Sequence, residues 1–302
     1  MQVATDTLHA ALGLSWMIVY APDEASPLLW PAYARDVFLV DGARLFGVAL
    51  RDVHPPEAAR GVAVAPEFVQ HFEASYRPFI QTALANRQAV LAWGGWPGDA
   101  GRSWGMLEPA EYRPDTLVGF VPFGSESVDA AQRGIALVAP PAQLYVVERL
   151  APRLPDTRDL LARVLRNTAS ALSNRFVDRF GVISGSVAVE QWGKELSRNE
   201  SGGEMFRKAL QSVVHSAVNG IESGLRFIRL HRPGASPEVR AGLSALENAS
   251  HEMLAGLRAA LCALAGELSQ SESESVRAAC AALEVVRSHL HAVSGALAPF
   301  GR

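Results

Sequence analysis

The character of the chain changes near residue 152, and this constrains its fold more than any other feature. Up to residue 151 the apolar runs are short and closed by turn signals. Beyond Pro152–Pro155 the apolar residues recur at helical spacing for the rest of the 302 residues. That division predicts an α+β architecture: a mixed α/β domain over 1–151 followed by an all-α helical bundle over 152–302. In the first part Val37–Val40, Phe46–Leu50, Ala89–Trp93, Met106-Leu107, Leu117–Val121, Ile135–Val138 and Leu144–Val147 read as strands. Asp41-Gly42, Gly94-Gly95, Pro97-Gly98 and Pro140-Pro141 are among the turns that bound them. Residues 67–86 read as a helix with Phe68, Phe72, Ile80 and Leu84 largely on one side, kinked or restarted at Tyr76-Arg77-Pro78. In the second part Asp156 caps a helix reaching about Phe176, and Ser186 opens a short one to Leu196. Glu204–His231 is one long helix, stopped by Arg232-Pro233-Gly234. Ser236-Pro237 opens the next, to about Leu268, and Ser271–Glu274 separates it from a last helix ending near Leu297.

Composition narrows the function classes. With 49% hydrophobic and 20% charged residues the chain is neither disordered nor fibrous, and a net charge of −3 gives no electrostatic basis for a nucleic-acid partner or an anionic membrane. The apolar stretch Leu8–Ala21 is shorter than the ~20 residues of a membrane span. It also lacks the basic residues that would precede a signal sequence, so the expected location is cytoplasmic. Cys262 and Cys280 are the only cysteines and read as small core residues of alanine-rich helices, which excludes a disulfide framework and a thiolate zinc site. There is no GxxxxGK[ST], GxGxxG, GxSxG or HExxH, so neither a nucleotide nor another cofactor is expected. His215 with Glu222, Glu247 with His251, and His289 with His291 read as surface or interhelical hydrogen bonding, and no metal is expected.

The tryptophans are the residues most suited to holding a ligand. Trp93-Gly94-Gly95-Trp96-Pro97, with Trp104 soon after, falls between two expected strands, where indoles can line a cleft and offer cation–π contact and an N–H. Ser15, after Gly13-Leu14, reads as a turn or cap, or as a nucleophile if a base stands within reach.

Four stretches together carry a family resemblance: Leu12-Gly13-Leu14-Ser15-Trp16; residues 83–91; Trp104–Leu107 with Leu117–Phe120; and Val187–Trp192. The layout resembles bacterial proteins with a papain-like, peptidase-C39-like domain followed by a helical region, similar to the acyltransferase of butirosin biosynthesis. Such enzymes attack with a cysteine thiolate and use a histidine base on a later strand. This chain has no cysteine before residue 262. The expected histidine position holds Trp104, no polar orienting residue stands near Val121-Pro122, and the chain begins where the nucleophile's helix should be under way.

The resemblance therefore implies a pseudo-enzyme: a degenerate papain-like domain that binds a small molecule, peptide or protein partner. Ser15, Trp93, Trp96, Trp104 and Glu108 are its expected ligand-binding residues, and no catalytic residue is assigned. Two alternatives stand beside it. One is an acyltransferase or amide hydrolase using Ser15, with His9, His54 or His71 as base. The other is a structural protein that dimerises through its alanine-rich C-terminal helices, around Ala259 and Ala278.

Overall fold

The computed structural model describes residues 4–20, 38–53, 66–98, 104–109, 116–121, 132–141, 143–174, 183–198, 204–266 and 271–301. In chain order α1 spans Thr5–Ala11, β1 Val19–Tyr20, α2 Leu39–Leu45 and β2 Val48–Asp52. Next come α3 (Pro66–His71), a π-helical turn (Phe72–Tyr76) and α4 (Arg77–Ala85). The strands β3 (Val90–Trp93), β4 (Trp104–Glu108), β5 (Val118–Val121), β6 (Gln132–Ala136) and β7 (Gln143–Leu150) follow. Then come α5 (Thr157–Leu172), β8 (Ile183–Ser184), α6 (Gly185–Arg198), α7 (Glu204–His231), α8 (Pro237–Leu264) and α9 (Glu272–Leu297). The fold is α+β, with contacts dividing the chain into two compact units: residues 47–152, and residues 1–46 together with 153–302.

The sheet unit is a six-stranded antiparallel sheet in the order β2-β7-β3-β4-β5-β6. One face carries Val90, Ala92, Leu107, Val121, Leu144 and Val146, and the helical segment 66–85 covers it with Phe68, Phe72, Tyr76, Ile80 and Leu84. The expected kink is a π-helical turn immediately before Arg77, with Pro78 in the first turn of α4. Proline has no N–H to give the preceding turn, and the wider π turn absorbs that missing bond.

In the helical unit local chemistry decides the helix ends. Asp156 accepts hydrogen bonds from the Arg158 and Asp159 N–H groups, Ser236 from Val239, and Ser271 from Glu274. The α5 stripe of Leu160, Leu161, Val164, Leu165, Ala169 and Leu172 is buried as its spacing requires. Two tryptophans tie the N-terminal segment to these helices. Trp16 donates its indole N–H to Ser250 Oγ at 3.0 Å, and its ring lies where a side chain on Gly224 would otherwise be. Trp192, fully buried, donates to the Val19 carbonyl at 3.2 Å.

Three expectations are corrected here. Residues 1–46 group with the helices rather than with the sheet, because Ala10, Ala11, Trp16 and Ile18 are buried in the helical core. The strand expected at Val37–Val40 is instead the start of α2, whose Asp41 pairs with Arg163 of α5 at 3.2 Å, while Val37 itself lies outside the described residues. Tertiary contact overrides the β preference of a short apolar run. Cys262 and Cys280 are only partly buried, and Cys280 Sγ faces the Gly193 carbonyl and Ser197 Oγ across the α6–α9 contact. Ala259 and Ala278 are exposed, whereas Ala260 and Ala279 are buried and Gly256 packs against Ala282 and Val286 of α9. Among the described residues no helix is long and apolar enough to cross a membrane.

Candidate functional site

The sheet places two of the five expected ligand-binding residues, Trp93 and Trp104, together. Trp93 stands opposite Gln143 on one side and Trp104 on the other, so the three form a row across β7-β3-β4 on one face. Tyr145, two residues along β7, shares that face, and its ring centroid lies 6.0 Å from that of Trp104. Trp93, Gln143 and Tyr145 are buried and Trp104 is half-buried.

Trp96 and Glu108 are not part of this group. Trp96 belongs to the helix-covered core on the opposite face, where its ring fills the space above Gly105 and Gly119. A side chain on either glycine would collide with it, so the Gly-Gly-Trp loop serves packing. Glu108 shares the Trp104 face but lies four residues on, about 13 Å along the strand. It is half-buried and pairs with Arg133 at 3.6 Å.

Ser15 lies in the helical unit, almost fully buried, and its hydroxyl has no hydrogen-bond partner. It therefore neither caps a helix nor contacts a base. Of the three histidines weighed as its base, His9 makes no hydrogen bond to it. His71 belongs to the sheet unit beside Ser75 and Tyr76, and His54 lies outside the described residues. Among the described residues Ser15 therefore has no base in hydrogen-bond contact to activate it. The carboxylate–histidine pairs dissolve as well: Glu222 pairs with Arg258 and Glu247 with Arg232, each at 2.6 Å. No cluster of three metal-ligating side chains occurs among the described residues.

The helical unit does contain a cavity, of about 290 Å³. Leu14, Met17 and Ile18 form one wall, Trp192 another, and Val213, Ala217 and Gly220 of α7 a third. His9, Ser216 and Asn219 are its polar side chains. The segment can lie so close to α7 because Gly220 has no side chain: a Cβ there would press on the Leu14 and Ser15 carbonyls at 3.0 and 3.1 Å.

The seating of α1 on α7, the two elements that carry His9 and Ser216, is polar. Asp6 accepts from Ser223 Oγ at 2.7 Å and Arg226 Nε at 3.0 Å. Burial pushes the Asp6 carboxyl up, but the hydrogen bonds from Arg226 and Ser223, with the charges of Arg226 and His9, hold it below its ordinary value. Thr7 Oγ1 and His231 Nε2 share a hydrogen bond of 3.0 Å, and burial pushes the His231 imidazole below its ordinary 6.5. The unfolded chain therefore takes up the His231 proton first. Stability is fully present above pH 6.5 and is lost as pH falls from there toward the depressed native value. Asp6 adds a further loss only below its unfolded 3.8. Urea midpoints measured from pH 7.5 to 5 are expected to fall, and His231→Gln is expected to flatten that slope.

A second hollow, of about 390 Å³ between α6 and α9, is lined by Lys194, Arg198 and Arg287 against Glu190 and Glu284. Its charges are consumed internally, Lys194 on Glu190 at 2.6 Å, Arg198 on Glu195 at 2.9 Å, and Arg287 on Glu284 and Glu190. It offers no net charge to a ligand. The sequence matches no protein-family model and no curated protein.

Proposed function

We propose that the chain is a non-catalytic binding protein that takes a compact molecule with an apolar part and a polar part into the cavity of its helical unit. The cavity itself is the observation that carries this reading. Its volume of about 290 Å³ lies just below the ~300–1,000 Å³ typical of ligand sites. That size suits a short acyl chain or a single substituted ring better than a peptide or a protein partner. Apolar walls supply the burial, while His9, Ser216 and Asn219 supply the few polar contacts that fix orientation. On this reading any descent from a papain-like enzyme has left the fold's capacity to bind without its nucleophile and base. A cytoplasmic location belongs to the same proposal and accords with two unpaired cysteines.

Filling the cavity tests this. Ala217 lines it and is nearly buried, so Ala217→Phe occupies the space with a ring. Short-chain fatty acids and small phenols, screened by thermal shift, are expected to stabilise the wild type, by about 2.7 kcal/mol at a hundred times Kd. The Ala217→Phe variant is expected to show no shift with the same compounds. An equal shift in both would place binding elsewhere.

A further inference from the structure

Two side chains among the described residues of the sheet unit bury polar atoms with no hydrogen-bond partner, Trp96 through its indole N–H and Gln143 through its whole amide. Gln143 is wholly buried, and neither its amide nitrogen nor its amide oxygen has a hydrogen-bond partner. A buried amide can make up to four hydrogen bonds, and leaving all of them unmade is costly. Its neighbours along β7, Leu144, Tyr145 and Val146, are buried residues of the ordinary strand-forming kind, and an apolar residue would serve packing equally well at 143. The residues that share its face in the sheet are aromatic: Trp93 directly across the strand pair, Tyr145 two residues along β7, and Trp104 on the far side of Trp93.

We infer that Gln143, Trp93 and Trp104 form a second binding site, in the sheet unit, for a flat heteroaromatic ring that carries a hydrogen-bond donor and acceptor side by side, as a nucleobase does. A carboxamide presents one acceptor and one donor in a single plane, which is the complement of a lactam or amidine edge. Indole and phenol faces hold flat rings by stacking. The half-buried Trp104 is where the group meets solvent. An aliphatic ligand would leave the amide unpaired. A phosphate would find no cation among Trp93, Trp104, Gln143 and Tyr145, so the ring rather than a charged tail is what the site reads.

The test uses the whole chain with uridine, guanosine, adenosine and nicotinamide as probes, followed by tryptophan fluorescence and saturation-transfer NMR. At least one probe is expected to bind at or below millimolar concentration, and its analogue methylated on the hydrogen-bonding nitrogen is expected to bind at least tenfold more weakly. Gln143→Met, of similar length, is expected to weaken binding at least tenfold while the unfolding midpoint holds or rises, because no internal hydrogen bond is removed. Ala217→Phe, in the helical cavity, is expected to leave probe binding unchanged, which separates this site from the one proposed above. Absence of binding by all four probes would overturn the inference. So would binding that survives Gln143→Met, or a midpoint that falls by several degrees in that variant, since a fall would show the amide to be satisfied within the fold.

Discussion

Trp192→Ala is expected to destabilise the helical unit by about 3–5 kcal/mol, the range for deleting a fully buried indole. Its side chain is 0% exposed, and its N–H donates to the Val19 carbonyl, so the substitution opens a large void and leaves that carbonyl unpaired. Against a typical total of about 5–15 kcal/mol this is a large fraction, and a chain near the low end would not stay folded at 37 °C. Trp192→Phe keeps most of the volume and loses only the hydrogen bond, so it is expected to cost less than half as much. Urea unfolding followed by far-ultraviolet circular dichroism reads both. A loss under 1 kcal/mol in Trp192→Ala would show that the wall of the cavity it forms collapses freely.

Gly119→Ala is expected to produce the largest effect in the sheet unit, about 3 kcal/mol and at the upper end of overpacking costs. The added methyl would collide with the Met106 carbonyl oxygen, meet the Trp96 ring at 2.9 Å and reach the Leu107 Cα at 3.0 Å. Backbone atoms of a paired strand cannot step aside as a long side chain can, so β4 and β5 must part. Trimming the ring with Trp96→Leu is therefore expected to give little relief. For Gly105→Ala the nearest atoms belong to the Trp96 ring itself, and the same trimming is expected to recover a measurable part of the loss. Chemical denaturation of the single and double variants checks the contrast.

The sequence was most legible where the deciding interaction is local. Asp156 and Ser236 cap the helices they precede, and Glu204–His231 runs between its two breaks to the residue. A cap needs only its own N–H groups within three residues, and these are written in the chain order. The aromatic positions were half legible. Trp93 and Trp104 do share a face, as strand pairing requires, but Trp96 turns inward because Gly105 and Gly119, on two later strands, leave it room. Glu108 lies on the expected face yet too far along the strand, a distance that only the register decides.

The cavity was hardly legible at all, since it joins residues near 9–19 to residues near 213–220 across almost two hundred positions. One signal for it was present. Gly220 and Gly224 lie four apart in the middle of a long helix, a pattern that asks for close backbone approach, and the Leu14–Trp16 segment is what approaches. Gln143 had no comparable signal, because a single polar residue at the start of an apolar strand is ordinary until its partners are found missing.

Native mass spectrometry of gently purified protein, beside the Ala217→Phe variant, reads whether the helical cavity is occupied. The wild-type chain is expected to carry one extra compact molecule, released on denaturation and absent from the variant whose cavity is filled. A mass that survives denaturation would contradict this expectation by revealing a nucleophile. A non-covalent mass retained equally by both proteins would contradict it by moving the ligand out of the space between Leu14, Trp192 and Ala217.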